Sequence, residues 1–70
     1  MTNKNDEEIH VLKKLYDKGR VHIAIFTTFG NSVRVEHIYN SRKLCKQILK
    51  KKLARELWTR MKNYAYYKEQ

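Results

Sequence analysis

The chain has 70 residues, with 16 lysine and arginine residues against seven acidic ones and a formal net charge of +9. This length fits one domain with a small core, and the single cysteine excludes an internal disulfide framework. No apolar run approaches the ~20 residues of a membrane span. The N-terminus lacks the apolar segment of a signal peptide, so we expect a cytoplasmic protein that does not bind membranes.

The positive charge is concentrated toward the C-terminal end of the chain. Ten of the 16 lysine and arginine residues lie in residues 42–70, where Glu56 and Glu69 are the acidic residues. A segregated basic field attracts polyanions, and nucleic acid is the commonest of them. The chain has no proline and only two glycines, so we expect few, long elements.

The first predicted element is a helix over residues 6–18, after a disordered N-terminus of residues 1–5. Asn5 or Asp6 can cap this helix, and Gly19 can end it in the left-handed conformation. Its apolar residues recur at three- and four-residue spacing, which is typical of one helix face: Ile9, Leu12, Leu15 and Tyr16.

Residues 20–39 are predicted to form an antiparallel β-hairpin. Two β-branched and aromatic runs flank Gly30-Asn31, which is a two-residue turn signal. With such a turn the numbers of paired residues sum to 61, so that Phe26 faces Val35. Both faces of the hairpin carry apolar side chains, and an isolated hairpin is marginal in water. One face therefore needs another layer or a second copy of the chain.

The last predicted element is a long helix over residues 41–68, capped by Asn40 or Ser41. On a helical wheel its apolar face turns by about 140° at residues 50–52. The helix either breaks there or continues with its two halves packed on different bodies; we favour continuity because no helix breaker is present. The second half then packs on a second copy and forms a homodimer through four residues: Leu53, Leu57, Met61 and Tyr64.

The predicted fold class is therefore α+β, with the order helix, antiparallel β-hairpin and long C-terminal helix (αββα). Residues 1–70 form a single small domain in this prediction, and the domain is dimeric.

The basic residues of the last helix form the candidate nucleic-acid-binding site. Rows of lysine and arginine suit phosphate contacts, and a tryptophan beside them can stack on a base. Duplex DNA is favoured over RNA, because a long basic helix can lie along a duplex. The alternatives are a solvated lysine face with the tryptophan as core filler, and binding of the basic patch to an acidic protein or a membrane surface. The predicted site comprises Arg42, Lys43, Lys46, Lys50, Lys51, Arg55, Trp58 and Lys62.

The run Ser41-Arg42-Lys43-Leu44-Cys45-Lys46 resembles the start of the last helix in double-stranded RNA-binding domains. In those domains a small residue opens this helix and paired lysines contact phosphates. The resemblance covers six residues, and the three strands and glycine-rich loop that precede the helix in such domains are not found here. It therefore assigns no family.

Other chemistry has little support in the sequence. The three histidines and the cysteine lack the close pairs of structural zinc sites, so we predict no metal and no cofactor. Cys45 is expected as a buried thiol on the apolar side of a helix, and we predict no enzyme activity. The alternative function is a non-catalytic interaction module that modulates a protein partner through the hairpin face or the Leu53–Tyr64 stripe.

Overall fold

The computed structural model describes residues 8–69. They form a five-stranded antiparallel sheet with one α-helix, in the order β1 (Glu8–Leu15), a short 3-10 helix (Asp17–Gly19), β2 (Val21–Phe29), β3 (Ser32–Tyr39), β4 (Arg42–Lys50), α1 (Lys51–Asn63) and β5 (Tyr67–Glu69). The strand order across the sheet is β4-β3-β2-β1-β5, so β4 and β5 are its two edges. Helix α1 leads the chain from one edge to the other across one face of the sheet.

The predicted β-hairpin is confirmed in its register. Strands β2 and β3 pair with Phe26 opposite Val35, and the paired segment closes with Phe29 opposite Ser32. The two-residue turn between them begins with Gly30, whose φ of +56° is a left-handed conformation that glycine adopts without a steric penalty. The turn chemistry alone therefore sets the pairing of the two central strands.

The predicted helix over residues 6–18 is wrong, because residues 8–15 form strand β1. This strand pairs with β2 along its whole length and with β5 over three residues. Its short apolar pattern is compatible with a helix or a strand, and pairing with two neighbours decides for the strand. Residues 6 and 7, and the disorder expected for residues 1–5, lie outside the described part of the chain.

The predicted helix over residues 41–68 is also wrong, and with it the αββα arrangement. Asn40 and Ser41 form a tight turn with φ angles of 50° and 71°, and the chain returns along β3 as strand β4. The change of apolar face at residues 50–52 marks the junction between β4 and α1, which has 13 residues. Residues 41–46 thus lie in a turn and a strand, and their resemblance to a helix of double-stranded RNA-binding domains does not hold.

The extra strands explain how so short a chain makes a sheet. A two-stranded hairpin is marginal in water, and three or more strands packed against a helix are needed for independent stability. Strands β1 and β4 pair with the two free edges of the central hairpin. The chain is α+β, as predicted, but with most of its residues in one sheet.

The core lies between α1 and the covered face of the sheet. Leu12, Phe26 and Val35 come from three neighbouring strands and are at most 3% exposed. Helix α1 contributes Ala54 and Met61, which are seven residues apart and therefore lie on one side of the helix. The buried apolar set of the described chain is small: Leu12, Ala24, Phe26, Val33, Val35, Ala54 and Met61.

The opposite face of the sheet, called here the open face, has no element packed on it within residues 8–69. Its apolar half consists of half-buried and exposed side chains on β1 and β2: Ile9, Val11, Leu15, Val21, Ile23, Ile25 and Phe29. Its basic half lies on β3 and β4, where cations surround one glutamate and two isoleucines are also present: Arg34, Glu36, Lys43, Lys46, Lys50, Ile38 and Ile48. The α-helix of the described residues is too short and too polar to cross a bilayer.

Candidate nucleic-acid interface

Strand β4 and the beginning of α1 carry seven exposed cations, named here the cationic edge: Arg42, Lys43, Lys46, Lys50, Lys51, Lys52 and Arg55. They are exposed because β4 is an edge strand and only the inner side of α1 contacts the sheet. Between Glu36 and Glu56 the sequence has no acidic residue. Within the described residues Lys43 is the one of the seven that contacts a carboxylate, with its Nζ 3.4 Å from Oε2 of Glu36.

A β-bulge decides which of these cations share a face. The register of β4 on β3 shifts by one residue beside Cys45, so that Leu44 has no partner on β3. Because of this extra residue, Lys43 lies on the open face together with Lys46 and Lys50. Regular strand alternation would place Lys43 on the other face. The bulge therefore concentrates positive charge on the basic half of the open face.

The structure places six of the eight predicted site residues in the cationic edge. The other two lie further along α1: Trp58 is half-buried on its inner side, and Lys62 is exposed near its end. Lys52 was not predicted as a site residue. It joins the cationic edge because α1 begins one residue before it, and the run of three lysines at residues 50–52 is the feature of the sequence that could have indicated it. The role of all these residues in binding stays a prediction.

The predicted dimer stripe is divided between the core and the surface. Met61 is 7% exposed and Leu57 packs against the core, so both contact their own chain. Leu53 and Tyr64 are 51% and 64% exposed. Helix α1 faces the sheet with the side that carries Trp58, which leaves Leu53 and Tyr64 outside the packed side. A second copy can reach these two residues without opening the core, and the dimer itself stays a prediction.

A cluster of histidine and tyrosine side chains lies on the covered face, beside the end of α1. His22 and His37 are neighbours on one hairpin face, as predicted, with Nε2 of His22 3.0 Å from Nδ1 of His37. Nδ1 of His22 also hydrogen-bonds the hydroxyl of Tyr66, which lies 3.3 Å from the hydroxyl of Tyr16. The ring of Tyr39 stacks on His22 with a centroid distance of 4.2 Å. This His–Tyr cluster fastens the segment after α1 to the sheet.

Burial disfavours the charged forms of these groups. It lowers the pKa of His22, and the neighbouring His37 and Lys14 lower that pKa further. It also lowers the pKa of His37 and raises the pKa of the Tyr66 hydroxyl. Both histidines are therefore neutral at pH 7, and one ring nitrogen can donate while the other accepts in the hydrogen bond between them. The sequence signalled the histidine pair but not its tyrosine partners.

Of the remaining candidate ligands, Cys45 is the cross-strand partner of His37, and His10 lies on β1. Cys45, expected as a buried thiol on a helix, is an exposed free thiol on β4. His10, expected on a helix, lies on β1 with its Nε2 3.5 Å from Oε1 of Glu8. Within residues 8–69 no three histidine, cysteine, aspartate or glutamate side chains are grouped so as to hold a metal ion.

Comparisons of the chain with protein families, with curated proteins and with solved structures find no significant match. Function is therefore inferred from the geometry and the charge of this chain alone.

Proposed function

We propose that the protein binds nucleic acid through its cationic edge and performs no catalysis. The observation that carries this proposal is the exposure of seven cations on one edge strand and the adjoining start of α1, with one carboxylate contact among the described residues. Protein surfaces usually intersperse charges of both signs. A field that the carboxylates of the described residues leave largely unneutralised favours binding of a polyanion.

The beginning of α1 adds to this positive field. Lys51 and Lys52 occupy its first turn, where no acidic residue is present and no side chain caps the helix. The positive end of the helix dipole has the same sign as these lysines, so the arrangement is electrostatically unfavourable in the free protein. A phosphate group bound beside them would relieve that repulsion.

The corrected fold changes the expected form of the nucleic acid. The prediction of a duplex DNA partner depends on a long basic helix, and α1 has 13 residues whose basic start continues an edge strand. A row of cations on a strand and one helix turn suits contacts with the phosphate backbone of either DNA or RNA. Such contacts provide affinity and orientation rather than base recognition.

Binding to a labelled oligonucleotide is expected to weaken steeply as salt is raised, because phosphate contacts release counterions. The double variant Lys46→Glu/Lys50→Glu should bind at least about tenfold more weakly at low salt. It should also reduce the slope of log affinity against log salt concentration by roughly two, one for each phosphate contact removed. Fluorescence anisotropy across a salt series measures both quantities.

The matched control is Lys18→Glu/Arg60→Glu, which makes the same change in net charge at exposed positions outside the cationic edge. Its affinity should stay within about threefold of the unmodified protein, as expected when no phosphate contact is removed. An affinity that does not depend on salt, or an equal loss in both double variants, would contradict the proposal.

The open face favours a second candidate function, protein–protein interaction, with a second copy of this chain as the partner. A face four strands wide and about eight residues long presents on the order of 500 Å². Two copies in contact through their apolar halves alone would use about half of this face each and bury on the order of 500 Å², which is in the range of weak, transient interfaces. Contact through the apolar half leaves the cationic edges of both copies accessible. The expected product is a weak dimer.

Sedimentation equilibrium is expected to show a mass that rises from monomer toward dimer with increasing protein concentration. Ile25→Lys, at the centre of the apolar half, should keep the protein monomeric, because a lysine there would be desolvated by stacking. Thr59→Lys adds the same charge at an exposed position of α1 and should leave the equilibrium unchanged. A monomer mass at every concentration, or equal effects of both variants, argues against this interface.

A further inference from the structure

An open cleft of about 390 Å³ lies between the first half of α1 and the ends of β1, β2 and β3. Its lining includes the apolar side chains of Phe26, Val33 and Ala54, and the indole of Trp58. The volume is at the small end of the range for ligand pockets, about 300–1,000 Å³. The cleft therefore suits one small group rather than a large ligand.

The indole of Trp58 is held in place by two neighbouring rings. Its centroid lies 5.1 Å from that of Phe26 and 5.9 Å from that of His10, at interplanar angles of 81° and 77°. Edge-to-face packing of this kind orients an aromatic ring. The indole is consequently preorganised, and a planar ligand that stacks in the cleft has little ordering cost to overcome. Aromatic side chains in accessible grooves are the groups on which nucleobases stack.

Cations line the rim of the same cleft. Lys51 and Arg55 come from α1 and Lys68 from β5, and the carboxylate among the described lining residues is that of Glu8. Lys51 and Arg55 also belong to the cationic edge, so the cleft opens from the surface on which we place the phosphate backbone. An aromatic interior with a cationic rim matches a planar ring that is attached to a phosphate.

We propose that this cleft takes one unpaired nucleobase of a single-stranded nucleic acid, with an adjacent phosphate on Lys51 and Arg55. The inference rests on the proposed binding of nucleic acid by the cationic edge, and it adds a preference for single strands. A base in a duplex is paired and stacked, and it must be extruded at a cost in free energy before it can enter. A base in a single strand enters without that cost.

The intrinsic fluorescence of the protein reports directly on this cleft, because Trp58 is the single tryptophan of the chain. The experiment titrates the 70-residue chain at low salt with a short labelled oligothymidylate and with a labelled duplex of the same length. Anisotropy of the label should rise with both, and the single strand should bind about tenfold more tightly. Indole emission should be quenched by the single strand and change little with the duplex.

The variant Lys68→Glu separates the cleft from the cationic edge, since β5 lies at the opposite edge of the sheet from β4. This variant should bind the single strand several-fold more weakly and the duplex with nearly unchanged affinity. Its preference for the single strand over the duplex is therefore expected to decrease. Arg60→Glu is the matched control: it makes the same charge change on the exposed side of α1, does not line the cleft, and should preserve the preference.

The outcomes distinguish this inference from the function on which it rests. Equal affinity for single strand and duplex with unchanged indole emission would overturn the cleft and leave binding by the cationic edge in place. Equal quenching of the indole emission by the single strand and by the duplex would also overturn the cleft and leave binding by the cationic edge in place. An anisotropy that does not change with either form at low salt would overturn the proposed function, and the cleft with it.

Discussion

Replacement of Leu12 by alanine is expected to bring the protein close to the midpoint of its unfolding equilibrium, with a substantial fraction of the molecules unfolded. Leu12 is fully buried in β1, opposite Ala24 of β2 on one side and Lys68 of β5 on the other. A buried leucine replaced by alanine costs about 2–5 kcal/mol, from lost burial and from the cavity that remains. A single core in a chain of this size rarely supplies more than about 3–5 kcal/mol of net stability. The expected loss therefore consumes most of the free energy of unfolding.

Circular dichroism and urea denaturation measure this effect, with Leu15→Ala as the matched control. Leu15 lies on the same strand, three residues later, and is 60% exposed on the open face. The same chemical change there should alter the free energy of unfolding by no more than about 0.5 kcal/mol. Similar urea midpoints for the two variants would show that the core does not lie where the sheet and α1 meet.

Acidification from pH 7.5 to 5.5 is expected to destabilise the fold through the His–Tyr cluster. Burial lowers the pKa of His22 and of His37 in the folded state. Below the ordinary histidine pKa of about 6.5, the unfolded chain therefore binds more protons than the folded one. The free energy of unfolding then decreases as the pH falls, and for one histidine the slope cannot exceed about 1.4 kcal/mol per pH unit.

The geometry of the His–Tyr cluster makes the second protonation the more costly one. With one proton added, His22 and His37 can still share a hydrogen bond; with both protonated, the two facing nitrogens, 3.0 Å apart, each carry a hydrogen. Lys14 adds a further positive charge near His22. The expected loss of stability is thus continuous below pH 6.5 and larger once both rings are charged.

Urea denaturation at several pH values measures the slope, and variants assign it. His22→Phe/His37→Phe should flatten the profile between pH 7.5 and 5.5, whereas His10→Gln, on β1 outside the cluster, should retain the slope. A free energy of unfolding that is constant between pH 7.5 and 5.5 would contradict this prediction. A dependence on pH that persists in the variant without both cluster histidines would contradict it as well.

The central hairpin was predictable because its signals are local. Gly30 and Asn31 are adjacent in sequence, and a two-residue turn sets every pairing of the two strands that follow from it. The same reasoning found the discontinuity at residues 50–52, since a change of apolar face is visible on a helical wheel. The interpretation of that change as a turn of the apolar face within one continuous helix was wrong: the pattern changes there because a strand ends and a helix begins.

Strands β1 and β4 were not predictable from their own residues. Leu12 and Leu15 are three residues apart, as on a helix face, yet one is buried under α1 and the other lies on the open face. A sheet with apolar groups on both faces blurs the two-residue alternation that identifies a strand. The hydrogen-bonding partners of β1 lie on β2 and β5, and β5 is more than 50 residues away in sequence.

The features of the candidate site also divide into those that the sequence indicates and those that depend on the fold. The excess of lysine and arginine after residue 41 was legible in the sequence, and six predicted residues do lie together on the cationic edge. The bulge at Leu44, which brings Lys43 to the face of Lys46, depends on the register against β3 and has no local signal. The cleft beside Trp58 depends on the side of α1 that faces the sheet.

By itself the sequence determined the charge distribution and the hairpin turn, and it marked a change of pattern at residues 50–52, because charge, turn chemistry and side-chain pattern belong to single residues and their immediate neighbours. The tertiary structure decided that residues 8–15 and 42–50 are strands, which cations share a face, and that an aromatic cleft opens beside them. Those features depend on pairing and burial between segments that are distant in the chain, and the free energy of such contacts exceeds the local preferences that a helical pattern expresses.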